Sequence, residues 1–182
     1  MAAQKDTLHG FPTELLQQLG LVIALFSALE DELNHFTCQL IGKPDDLGSL
    51  TLIMSNAIGF NERVSLVVEA FRMRIQDPKN VKTLTDEERT DLALRLEKLM
   101  DRADRANSKR NELVHSRWSP HPLARRRSEV VLTRKRNRRD HPGQLFVGTP
   151  TAKEIAQVAD QIERVRAELK RFRDELGARR TL

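Results

Sequence analysis

Residues 13–41 read TELLQQLGLVIALFSALEDELNHFTCQLI, and their apolar positions decide the fold. Leu15, Leu19, Val22, Phe26, Leu29, Leu33, Phe36 and Leu40 step by four and three throughout. That is the period of one helical face, not the alternation of a strand. The stretch predicts a helix of about seven turns with a bundle seam along it. Pro12 suits its start, and Gly42 with Pro44 suits its end. Gly20 weakens it locally. Cys38 falls on the apolar pattern as a small core residue.

The same period recurs three times. Ile53, Ala57, Phe60, Val64, Val67 or Val68, Phe71 and Ile75 predict a second helix over 49–76. Gly59 lies inside it, as a tight helix crossing would require, and Asp77-Pro78 ends it. Thr85-Asp86-Glu87-Glu88 has the spacing of a capping box, with Thr at the cap and Glu three residues on. It opens a third helix over 86–118, with Leu92, Leu96, Leu99, Ala103 and Ala106 on its apolar stripe and Ser119-Pro120 at its end. The opposite side, from Glu97 and Lys98 to Asp104 and Arg105, alternates in charge like a solvated face. A second capping box, Thr151 to Glu154, opens a fourth helix over 151–176. Its seam is Ile155, Val158, Ile162, Val165, Leu169, Phe172 and Leu176. The fold class expected is therefore all-α: one domain over 1–182, an antiparallel bundle of four long helices.

The composition agrees. Of 182 residues, 39% are hydrophobic and 31% charged, and tyrosine is absent, which favours helices over sheets. A single cysteine rules out an internal disulfide and a cysteine zinc cluster. The first ten residues lack the layout of a secretion signal, and the longest apolar run, Leu21 to Phe26, is too short for a bilayer. The expectation is a cytoplasmic protein with no membrane partner.

The net charge of +5 is unevenly placed. Arg125, Arg126, Arg127, Arg134, Lys135, Arg136, Arg138 and Arg139 are opposed only by Glu129, so 121–139 carries +7 and the remainder sums to −2. Val130 to Thr133 and Leu145 to Val147 are β-prone, with Asn137, Asp140, Pro142 and Gly143 between them. A basic β-hairpin inserted between helices three and four, within 121–149, is one reading; a disordered basic loop is the other. The charge makes these eight residues candidate RNA-binding positions. Without interleaved aromatics, base stacking is not supported.

The third stripe ends abnormally. After Ala106 its next position is Arg110, a permanent cation where a leucine is due. Asn111 and His115, four apart, share a face one turn on, and Trp118 follows. A charge on a buried face is costly unless it is paired or used. Glu30, Asp31 and Glu32 flank the first seam; either they are solvated, or Glu30 turns inward and pairs with Arg110.

The pattern R-N-x-x-x-H at Arg110, Asn111 and His115, followed closely by Trp118, resembles the HEPN family. This is a group of all-α domains, many of them metal-independent endoribonucleases of defence and toxin–antitoxin systems. The resemblance covers most of the chain in architecture but only this stretch in residues. It implies a homodimer that brings two motifs into a composite cleft, no cofactor, RNA as substrate and an antitoxin protein as a further partner.

The chemistry fits the residue types. RNA is cut without metal when a base takes the 2′-hydroxyl proton and the charge building on the phosphate is stabilised. His115 suits proton transfer near neutral pH. Arg110 suits the phosphate with its planar fork of donors. Asn111 suits holding the imidazole or the substrate. The leaving oxygen needs a second proton-transfer group, which a partner's motif would supply. The competing reading is a catalytically silent nucleic-acid- or partner-binding module, in which Arg110 pairs with a carboxylate while His115 and Trp118 close the core end. His9, His35, His121 and His141 lack metal-ligand spacing, and no glycine-rich phosphate loop is present.

Overall fold

The computed structural model describes residues 7–8, 11–41, 58–77, 84–120, 130–138 and 141–179. Four long helices dominate them: α1 (Thr13–Ile41), α2 (Phe60–Gln76), α3 (Asp86–Val114) and α4 (Ala152–Ala178). Short strands β1 (Thr7–Leu8) and β2 (Phe11–Pro12) pair before α1. Strands β3 (Arg117–Pro120), β4 (Val130–Arg138) and β5 (His141–Gly148) lie between α3 and α4 in sequence. The protein is an all-α, four-helix protein with these minor strands.

The chain forms two compact units, one of Met1–Leu25 with Ser108–Gln161 and a second of Phe26–Asn107 with Ile162–Leu182. In the second unit all four helices pack together. Phe36 of α1, Phe71 of α2 and Phe172 of α4 form a triangle, with ring centroids 6.5, 6.1 and 5.7 Å apart. Phe26 meets Phe60 at 4.9 Å. Tilted and edge-on aromatic pairs of this kind contribute about 0.5–1.5 kcal/mol each beyond their burial. The α3 stripe of Leu92, Leu96, Leu99, Ala103 and Ala106 is buried throughout. Around this core the helices are bridged by Arg72 and Glu97 at 2.6 Å, by Arg95 and Glu175 at 2.7 Å, and by Arg173 with Glu32.

Two seams differ from the sequence expectation by one residue. On α2 the inward position is Arg63, which is buried, while Val64 is half-buried. Arg63 donates to Glu30 at 3.4 Å and to the Ile58 carbonyl at 3.3 Å. On α4 Ala159 is buried and Val158 half-buried. Helix α2 also begins later than expected. Gly59 is its N-cap in an extended conformation, and the Arg63 N–H closes the first turn on the Gly59 carbonyl at 3.0 Å. Gly59 therefore stands before the helix and not inside it; residues 49–57, the expected first half, lie outside the described residues.

Both capping boxes form. Thr85 Oγ1 accepts from the Glu88 N–H at 3.2 Å while Glu88 accepts from the Thr85 N–H at 2.9 Å. Thr151 and Glu154 repeat this at 3.2 and 2.7 Å. The N–H donors that a helix start leaves open are thereby satisfied, and both carboxyls are held below their ordinary range, mainly by the threonine N–H.

By length and composition alone α1 is able to cross a membrane. Within the second unit, however, its Glu30 and Glu32 are ion-paired to Arg63 and Arg173.

Candidate functional site

The R-N-x-x-x-H motif lies in the first unit, where α3 stops. The helix ends at Val114, about one turn earlier than the spacing predicts. The His115 N–H closes the last helical turn on the Asn111 carbonyl at 3.1 Å; the next two carbonyls take side-chain donors, Ser116 Oγ to Glu112 and Trp118 Nε1 to Leu113 at 2.8 Å. The latter two are acceptors that a helix C-terminus leaves unsatisfied. Trp118 is thus not helical. It sits on β3 opposite Leu132 of β4, an antiparallel pairing that sequence analysis did not anticipate. Residues 132–138 of β4 continue the sheet against β5, with a register shift between Arg136 and Asn137.

Arg110 and Asn111 are brought together: both are half-buried, and Arg110 Nη1 donates to Asn111 Oδ1 at 2.8 Å. His115 is exposed, one residue past the helix, and is tied to Asn111 through the main chain. The arrangement leaves His115 open to solvent, five residues on from a cation held by its amide neighbour. A proton-transfer group must be reachable, and a phosphate-binding arginine gains from being oriented.

Glu30 belongs to the second unit, and the cation beside it there is Arg63. Of the basic candidates, Arg134, Lys135, Arg136 and Arg138 lie on β4. Their side chains, and the whole of Arg125, Arg126, Arg127 and Arg139, lie outside the described residues.

Sequence reasoning missed a polar cluster in the second unit. Besides Arg63, Asn107 of α3 is buried and donates to Asn61 Oδ1 of α2 at 3.1 Å. Asn107 immediately follows the buried Ala106, and its amide is an available signal for a buried hydrogen bond. Among the described residues no group of three or more His, Cys, Asp or Glu is placed to hold a metal.

No family model, no curated protein and no solved structure matches this chain.

Proposed function

We propose that this protein is a HEPN-like, metal-independent endoribonuclease that acts as a homodimer in the cytoplasm, in toxin–antitoxin or phage-defence systems. The observation that carries the reading is the end of α3, where Arg110 and Asn111 are hydrogen-bonded and His115 is exposed. Arg110 binds the scissile phosphate, His115 moves the proton, and Asn111 orients the arginine. A second copy supplies the second imidazole. The basic segment 121–139 adds sequence-independent attraction to RNA. An antitoxin protein would cover the motif.

A second reading, the silent binding module, is favoured by one detail. Arg110 Nη1 already donates to Asn111, so part of the motif's polar capacity is used internally.

The test is cleavage of single-stranded and tRNA-like substrates in EDTA. His115→Ala should slow it by about 10²-fold or more, with an unchanged melting curve because the side chain is exposed. Light scattering should give twice the 20.9 kDa chain mass. A wild-type protein that cuts nothing, or a His115→Ala variant that cuts normally, moves the conclusion to the silent module.

A further inference from the structure

A groove of about 780 Å³ runs between α3 and α4 in the second unit. Five cationic side chains and three carboxylates line it. Two of the carboxylates are committed: Glu175 accepts two bonds from Arg95, at 3.2 and 2.7 Å, and Glu168 accepts from Arg102. These arginines hold both carboxyls below their ordinary range, so the bridges persist at neutral pH. Lys98, Arg105 and Arg171 remain, all exposed, against Asp101. Arg105 and Arg171 tether Nε to carbonyls of their own helices, at 3.2 Å to Asp101 and 3.4 Å to Ala167. Among the described residues their Nη groups make no hydrogen bond, and Arg171 also lies close enough to Glu168 to help hold its carboxyl down. The floor, Phe172, is buried beneath Arg95 and offers no face for a base to stack on.

We infer that this groove binds the phosphate backbone of a single RNA strand, independently of sequence. Charge complementarity and the lack of a stacking surface select backbone over base. Lys98 to Arg105 covers about 10 Å of helix at 1.5 Å per residue. With one phosphate to each of the three cations, the groove engages about three nucleotides. Naming RNA rests on the ribonuclease reading; the anionic strand rests on the groove itself.

The experiment uses fluorescence anisotropy of a labelled single-stranded oligoribonucleotide, in EDTA, across a salt series, with His115→Ala as parent so that cleavage plays no part. Lys98→Gln, Arg105→Gln and Arg171→Gln together should weaken binding by about tenfold or more. They should also flatten the log–log salt slope by about 2, at about 0.7 per phosphate contact. Lys153→Gln, Arg164→Gln and Lys170→Gln remove the same charge from exposed positions outside the groove and should leave the slope nearly intact. The groove triple keeps both arginine–glutamate bridges, and circular dichroism checks its helicity. If it melts early, the single variants Lys98→Gln and Arg171→Gln are read instead for a slope loss of about 0.7 each. Equal weakening by the two triples, an unchanged slope in the groove variants, or no binding by the parent overturns the inference. Binding through the groove without cleavage by the wild type sinks only the ribonuclease reading.

Discussion

The Arg63–Glu30 pair makes an asymmetric forecast. Arg63's side chain is 6% exposed and Glu30's 33%, with 3.4 Å between them. At an effective dielectric near 20 their attraction is about 5 kcal/mol before desolvation. Removing an ion from water costs several kcal/mol, so the pair is near neutral against an apolar replacement. Breaking it from one side is different. Glu30→Ala takes the carboxylate away from a buried guanidinium that also donates to the Ile58 carbonyl. The cost should be about 3 kcal/mol, the low end for a broken buried pair, because water reaches the vacated carboxylate position. Arg63→Met fills the apolar space and leaves a carboxylate that is already one-third hydrated, for about 1 kcal/mol. The double variant should sit close to Arg63→Met, giving a coupling of about 3 kcal/mol. In thermal melts, Glu30→Ala should lose about 6–12 °C and Arg63→Met about 2–4 °C. If Arg63→Met is the worse single variant, or the two costs simply add, the burial argument is wrong.

Trp118→Phe keeps an aromatic side chain but removes the donor to the Leu113 carbonyl; it should cost about 1 kcal/mol in denaturant unfolding, and an unchanged midpoint would show that the bond contributes nothing. Glu163, Glu168 and Glu175 are held below the ordinary carboxyl value of 4.5 by hydrogen bonds from Arg166, Arg102 and Arg95. Their stabilisation is therefore complete above 4.5 and lost as pH falls through the lower folded values. Melting temperature should drop on acidification below 4.5, and Glu175→Gln should soften the drop; a flat profile refutes this. Burial pushes the Cys38 thiol above its usual range, so iodoacetamide should label it more slowly in the native protein than in denaturant at the same pH. Equal rates would count against that.

The chain by itself determined what a few neighbouring residues decide. The period from Leu15 to Leu40 places α1 at Thr13–Ile41, and threonine three residues before glutamate caps α3 and α4, because those signals are completed within one or two turns. That Arg110, Asn111 and His115 fall together was equally legible, since only six residues of chain hold them. Tertiary structure decided the rest. Arg63 and Val64 both continue the step from Phe60 to Val67, and a seam read in isolation prefers the valine. Arg63 is inward because Glu30 on another helix and the Ile58 carbonyl accept its charge. Trp118 leaves the helix because Leu132, fourteen residues on, pairs with it and because its indole caps Leu113. Where α3 stops in turn sets His115 in solvent while Arg110 and Asn111 stay half-buried. A stripe of charge on α3 read as plain solvated surface until α4 was set beside it. Periodicity encodes which face of a helix is apolar; the partner across that face decides which polar groups it will take, and no residue carries that information alone.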